Sequence, residues 1–524
     1  MPEYLSPGVY VEEIEIGPRP IAGVGTSTAG FLGMTERGPQ KPGFVSSFED
    51  FVRYYGSHTS DSYTAYAVEG FFANGGQRCF IGRVVKSGSA IATVAAPLPC
   101  SAVGPGVWGN RVKIRIEDPS SKSATCFKLV VAYWRNDTDM VVVDDPDAAK
   151  KQKNFQKMVD RASKIEVFDE LSLDVSSADH YLKRVNGKSY LITIDETLPL
   201  LTAIPAKPAD YDFGPALAGG VDSTTALTAS DMIGSPDAQP GSRVGLTAFK
   251  EVDEIAILYA PDVNIMEDVQ KAAMVDSLLS HCEALKDRFA VLDIPRGSAD
   301  ITGLSISSAP LRPSLYGAVY YPWIKVMDPL TQRQKLVPPG GYMAGIYART
   351  DNERGVHKAP ANALVRGALD VEFPITKGEQ DLLNPRNINC IRFFQGQGIL
   401  VWGGRTISDN TLWKYINVRR LFIYVEESIQ KGTQWVVFEP NDERLWSRVI
   451  QTISQFLTGV WHDGALMGAT PAEAFFIICD RTTMTQDDID NGRLICKIGI
   501  APVKPAEFVI FRIAQWQGGS AATE

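Results

Sequence analysis

The chain has 524 residues, of which 44% are hydrophobic and 22% charged, and a formal net charge of −9. That length suits about three or four domains with sizeable cores, and the acidic balance argues against a nucleic-acid binder, which carries a basic excess. Seven cysteines without a CxxC and five histidines without a ligand-spaced pair argue against a zinc site or a disulfide framework and fit reduced thiols in a cytoplasm. No cofactor and no metal are expected.

The first twenty residues, MPEYLSPGVYVEEIEIGPRP, lack the basic and apolar regions of a signal peptide. No run reaches about 18 consecutive apolar residues, so direct membrane insertion is not expected. Residues 8–16, GVYVEEIEI, form a β-favouring run bracketed by Pro7-Gly8 and Gly17-Pro18. It reads equally as an edge strand of its own domain or as an arm that joins a neighbour's sheet.

Gly25-Thr26-Ser27-Thr28-Ala29 imitates the surroundings of a subtilisin-type serine nucleophile. Such an enzyme needs a base and a carboxylate that orients it, yet no histidine precedes Ser27 and His58 stands in a polar SHTSD stretch. A glycine-rich turn leading into the strand AGFLGM is the preferred reading. Residues 48–55 and 60–74 read as helices, the second with Ser60 as N-cap and Gly75-Gly76 as its stop. A strand at 79–85 then completes a helix–glycine–strand pattern typical of α/β proteins.

From about 95 the texture changes. VWGNRVKIRIED, CFKLVVAYW, MVVVDD and SYLITID are strand-like, and an acid- and lysine-rich stretch at 146–166 reads as helical. This is the signature of an inserted domain of antiparallel hairpins ending near 217–223. NGKS at 186–189 imitates the end of a phosphate loop, but the loop's first glycine falls on Leu182, so the motif fails.

The α/β pattern resumes with a strand at 255–260, a helix at 264–288, a strand at 289–293 and a tyrosine-rich strand at 315–326. Repeated alternation with apolar strands predicts a parallel sheet covered on both faces. Asp262 and Asp293 fall just past strand ends, where such folds place ligand groups. Without partnering histidine, lysine or phosphate loop they read as caps or turn formers, with a metal or substrate role as the alternative.

The stretch 384–434 predicts two strands, 387–394 and 397–407, and a helix starting near Asn417. It is rich in aromatics and glycines and holds no histidine. Asp442 then caps an amphipathic helix at 443–461, whose buried face is Leu445, Trp446, Val449, Ile453, Phe456, Leu457 and Val460. His462 beside Asp463 reads as a capping or solvent-facing pair. Strands at 474–480 and 493–503 follow, and AEFVIFRIAQWQ (506–517) closes the chain as another β-prone run.

Several of these stretches together resemble the contractile tail sheath family, which covers contractile phage tails, R-type pyocins and phage-tail-like contractile injection systems. The matching pieces are SPGVYVEE (6–13), GVWGN (106–110), LAGGVD (217–222) and GIYARTDNERGVHKAPAN (345–362). LNPRNINCIRFFQGQGILVWGGRT (383–406) and YINVRRLFIYVEESI (415–429) complete the set.

The resemblance implies an α/β multidomain fold. An N-terminal arm (1–22) precedes a subtilisin-like-shaped α/β core built from 23–94 and 223–362, interrupted by an outward-facing β-rich insertion at 95–222. A C-terminal α/β domain (363–504) and a C-terminal arm (505–524) follow. It further implies a non-enzymatic subunit that polymerises as stacked hexameric rings around an inner tube and contracts to drive that tube through an envelope. Val9, Tyr10, Val11 and Ile14 would contact a neighbour through one arm, and Phe508, Ile510 and Arg512 through the other. Arg392, Arg405, Arg419 and Arg420 would face the tube.

Implied partners are further copies of the chain, paralogous sheath subunits, the tube protein, and baseplate and terminator or cap proteins. No nucleic acid is among them. Assembly in a bacterial cytoplasm and release by lysis within a particle are the implied location. An α/β hydrolase-type enzyme using Ser27, His58 or His462, and a polymeric shell that does not contract, are the alternative readings.

Overall fold

The computed structural model describes residues 20–141, 145–307, 309 and 311–512. They pack as two units: 25–353 with 360–416, and a smaller one of 354–359 with 417–512 that also takes in 20–24.

The larger unit opens with β1 (Ala29–Met34), β2 (Gly43–Val45), α1 (Phe48–Tyr55), α2 (Thr64–Ala73) and β3 (Cys79–Val84). Helix α1 has the predicted bounds. Ser47 caps it by accepting from the Asp50 amide, and Gly56, at φ 86°, ends it. Helix α2 starts later than predicted. Residues 60–63 form a turn and Ser60 is not its cap, because the Ser62 hydroxyl is drawn to Asp262 and to the Met34 carbonyl.

The insertion holds β4 (Thr93–Val94), β5 (Cys100–Ala102), β6 (Val112–Glu117), β7 (Cys126–Tyr133), α3 (Ala148–Asp160), β8 (Lys164–Ser172), α4 (Tyr181–Val185) and β9 (Ile192–Ile194). Two antiparallel three-stranded sheets result, β6-β7-β8 and β4-β5-β9. In β6 Val112, Ile114 and Ile116 point into a core shared with Trp108, Leu129 and Val131, while the alternate residues face outward. Helix α3 is shorter than the predicted 146–166, because from Lys164 the chain pairs with β7. The MVVVDD run falls partly on 142–144, outside the described residues.

The core resumes with α5 (Ala229–Ile233), β10 (Ile257–Tyr259), α6 (Asp268–Leu285), β11 (Phe289–Asp293), β12 (Gly317–Tyr321), β13 (Ile324–Met327), β14 (Gln334–Val337), α7 (Gly340–Arg354), β15 (Ala363–Leu364), β16 (Asp370–Val371), α8 (Lys377–Leu383), β17 (Ile388–Phe394) and β18 (Gly398–Trp402). One nine-stranded sheet runs β15-β18-β17-β12-β11-β10-β1-β3-β2, parallel from β17 to β3 with antiparallel strands at both margins. The predicted strand 315–326 is two strands in two sheets. Pro322 has no N–H to continue the ladder, and β13 pairs instead with β14 and β16. Helix α7 crosses α2 closely: a Cβ at Gly341 would lie 2.5 Å from the Ala67 backbone, a contact only glycine allows.

The predicted hairpin at 387–407 forms with Cys390 opposite Trp402 and Phe394 opposite Gly398. Its second strand stops at Trp402, where Gly403 and Gly404 leave the ladder. This hairpin and β15 belong to the nine-stranded sheet. The boundary expected at 363 therefore moves by packing to 416/417.

The smaller unit contains most of α9 (Ile416–Gly432), then α10 (Glu443–His462), α11 (Pro471–Ala474), β19 (Phe475–Ile478), α12 (Gln486–Asp490) and β20 (Lys497–Ile500). Asp442 caps α10 by accepting from the Leu445 amide at 2.8 Å. All seven predicted apolar residues of α10 are buried, together with Thr452. Leu421 and Val425 of α9 share their core, and Ile21 joins it.

Candidate assembly site

Among the positions that resemble chemistry, Asp262 and Asp293 are engaged by hydrogen-bond donors of the fold itself. Asp262, wholly buried after β10, accepts from the amides of Met34 and Tyr63, both at 2.7 Å, and from the hydroxyls of Ser62 and Thr64 at 2.9 and 3.0 Å. It ties the ends of β1 and β10 to the start of α2. Asp293 accepts from the Tyr259 hydroxyl at 2.6 Å, the Asn264 amide at 2.9 Å and the Gly340 backbone at 2.8 Å. With their oxygens occupied by protein donors, both carboxyls act as turn organisers.

Burial pushes the Asp262 carboxyl up to about 6, against the four hydrogen bonds that favour its ionised form. A folded-state value above the unfolded one means that the native chain holds this proton more tightly. The stabilisation is therefore complete below about pH 4 and is lost as pH rises through about 6, a change of roughly 3 kcal/mol. Asp262→Asn is expected to remove that slope. Denaturant midpoints of wild type and variant at pH 4.5 and pH 7 test it, and equal pH differences in the two proteins would refute it.

His58 is not in a polar loop but buried, because α1 and α2 close aromatic side chains over it. Its Nε2 lies 3.0 Å from Glu69 Oε2, and its ring packs on Phe48 and Tyr66. Its imidazole is thus held by its own scaffold. Beside half-buried Ser27, the Thr26 hydroxyl donates to Asp351. His462 lies exposed in the last turn of α10, its ring tilted at 49° against that of Trp461.

Among the four arginines expected at a tube, Arg392 is half-buried and donates to the Ile375 carbonyl and to Gln380. Arg405 is buried and donates to the Asn384 carbonyl at 2.7 Å. Arg419 is buried and paired with Glu426 at 2.8 Å, and Arg420 is buried and engaged as well. In the described chain Arg392 is the most open of the four.

Exposed apolar side chains occur in both units, among them Val269, Phe393 and Leu412 of the larger one, and in the smaller unit they include one face of a small sheet. Strands β19 and β20 form a two-stranded antiparallel sheet, with no further strand on either edge among the described residues. The alternation of β19 turns Phe475 and Ile477 to the core and leaves Phe476 and Ile478 outward, 56% and 37% exposed. The sequence marked FFII as a strand, but its uniform apolarity concealed this exposed face.

Past Pro505 the chain carries Phe508, Val509, Ile510 and Phe511, exposed by 71%, 68%, 79% and 83%, and then exposed Arg512. These residues are in no strand. Val9, Tyr10, Val11 and Ile14 lie outside the described residues. Among the described residues no helix is long and apolar enough to cross a membrane.

Two family models match in succession: the phage tail sheath protein central domain over residues 225–407 and the phage tail sheath C-terminal domain over 408–515. Their junction falls near the packing boundary at 416/417. The chain belongs to the phage tail sheath family. The tail sheath protein of Burkholderia phage BcepMu is 26% identical over 309 residues, covering 55% of this chain and 61% of that protein. That of Vibrio phage KVP40 is 25% identical over 357 residues, 62% of this chain and 50% of the relative. The chain thus spans roughly half to three-fifths of these two relatives. A putative prophage major tail sheath protein of Pseudomonas aeruginosa strain UCBPP-PA14 is 26% identical, with 57% and 77% covered.

Solved structures agree in fold along nearly the whole chain. The contracted helical sheath of the anti-feeding prophage matches with TM-score 0.58 at 24% identity, covering 97% of this chain and 99% of that one. The contracted sheath complex of the PVC extracellular contractile injection system gives 0.57 at 23% identity, with 99% of each chain covered.

Proposed function

We propose that this chain is the structural subunit of a contractile tail sheath. It polymerises as stacked hexameric rings around an inner tube, and its contraction drives the tube through a target envelope. The observation that carries the reading is the occurrence, in one family member, of a two-stranded sheet at β19–β20 that no further strand joins among the described residues and of an exposed apolar tail at 508–511. Each supplies what strand addition needs: open ladder groups on one side and β-prone apolar side chains on the other. A head-to-tail contact of this kind, repeated between successive copies, builds a helical polymer where it does not close into a ring.

Work in such a polymer comes from repacking between subunits, with an extended state trapped above a better-packed one. The role is non-enzymatic and needs no nucleotide site. The N-terminal arm, through Val9, Tyr10, Val11 and Ile14, makes the second inter-subunit link, and the mainly parallel nine-stranded core supports the subtilisin-like shape. Tube contact is assigned first to Arg392, with Arg405, Arg419 and Arg420 as the further tube-facing candidates. Baseplate, terminator and cap proteins, and paralogous sheath subunits, are the further partners. Assembly takes place in a bacterial cytoplasm and release occurs by lysis.

Expressed alone, the protein is expected to form sedimentable tubes or rings with helical order in electron micrographs. A chain that stays monomeric at high concentration and is absent from purified particles sinks the reading. Particles imaged in a single length, with no shortened and widened form, would instead indicate a passive shell.

A further inference from the structure

The β19–β20 ladder ends with Ile478 opposite Lys497, so the next pair outward on the same register is Cys479 and Cys496. Both side chains point to the core face, Cys479 inside the cluster and Cys496 packed against it. Directly opposed positions on an antiparallel pair lie about 4.5–5.5 Å apart at Cα, within the range a disulfide spans. We propose that Cys479 and Cys496 form an oxidisable dithiol that closes as an intramolecular disulfide across the open end of this ladder.

In the structure both thiols are free. Cys479 is buried whereas Cys496 is half-exposed, so an oxidant meets Cys496 first. With glutathione disulfide, the Cys496 thiolate attacks one sulfur of the oxidant and expels one glutathione thiolate, leaving a mixed disulfide. The Cys479 thiolate then attacks Cys496 Sγ and expels the second glutathione. Two protein thiols lose two electrons and two protons, and the oxidant gains them as two glutathione thiols. Burial, with the neighbouring Cys479 thiol adding to it, pushes Cys496 up to about 12. Closure is therefore slow at neutral pH and accelerates as the thiolate fraction grows, about tenfold per pH unit between 7 and 9. The bond would close the loop 480–495, which carries α12 and is otherwise tied at its base by the Thr483 hydroxyl donating to the Ile495 carbonyl at 2.9 Å.

The folded full-length protein is incubated with glutathione disulfide, blocked and digested without reduction. Trypsin cuts at Arg481 and Arg493, so the two cysteines leave on separate peptides unless they are joined. The expected result is one peptide pair linked through Cys479 and Cys496, a thiol count lower by two from seven, and a rate rising about tenfold per pH unit. Cys479→Ser and Cys496→Ser should each show no such pair. Because the wild type supplies the decisive measurement, poor folding of a variant does not rescue the proposal. Seven thiols surviving at pH 9, or an intermolecular bond through half-exposed Cys126 in place of the pair, would overturn it.

Discussion

Removal of residues 505–524 is expected to leave a folded chain that no longer forms tubes. The described part of this segment pairs with no strand and leaves Phe508, Val509, Ile510 and Phe511 mostly in water. Deleting these four exposed side chains costs the isolated chain almost no packing. In a polymer the same four side chains stand to gain roughly 2 kcal/mol each on burial, and added ladder hydrogen bonds contribute about 1 kcal/mol apiece. Losing several kcal/mol at every subunit contact raises the concentration needed for assembly by orders of magnitude, since each 1.4 kcal/mol is about tenfold. Sedimentation and negative-stain images of the truncated protein test the result, with circular dichroism confirming that it is folded. Ile510→Asp, which keeps chain length and places a charge in the apolar run, is expected to weaken assembly in the same direction. Tubes of normal abundance from the truncated chain would remove the C-terminal segment from the assembly contact.

Trp108→Ala carries the largest expected cost within the fold. Trp108 sits in a short 3-10 turn between Gly106, at φ 128°, and β6, and is 1% exposed. Its indole N–H donates to the Pro105 carbonyl at 3.1 Å, and its ring meets Tyr133 edge-on at 6.1 Å between centroids. It belongs to the insertion's buried core together with Ala92, Ala102 and Val112. Truncation removes the burial of a large ring and leaves a cavity that the two small sheets cannot fill, a loss of roughly 3–5 kcal/mol. The readout is amide exchange in β6 and β7, expected to accelerate by on the order of a thousandfold as local opening becomes easier. Trp108→Phe, which keeps most of the volume but loses the hydrogen bond, is expected to cost about 1 kcal/mol. Unchanged exchange in the alanine variant would mean that the insertion's core does not depend on this side chain.

What could be read directly were elements whose signals are local. Helix α10 has a capping aspartate and an apolar face at helical spacing, so its bounds and its buried residues follow from neighbouring positions alone. Helix α1 and the hairpin β17–β18 were legible as elements too, and the structure shows their local supports: a serine cap and a glycine stop in one, two glycines of positive φ at the turn of the other. The false start expected for α2 at Ser60 shows the limit. Ser62 is recruited by Asp262, 200 residues away, and no local pattern reports that pull.

The stretch 384–434 divides along the same line. Its strands and helix were visible as elements, but the hairpin pairs with β12 of the central sheet while most of the helix joins the smaller unit. Apolar strands look alike whichever sheet they enter, because alternation and β-branching describe a strand's faces and not its neighbours. For the candidate site, the β-prone ends were present in the residue order. The outward face of Phe476 and Ile478, the burial of Arg405, Arg419 and Arg420, and the opposition of Cys479 to Cys496 were not. The α/β alternation, the inserted β-rich segment and the family blocks follow from residue order alone, since each rests on local spacing. Strand order, register and the apolar residues left in water were settled by long-range packing, since they depend on pairings between segments far apart in the chain.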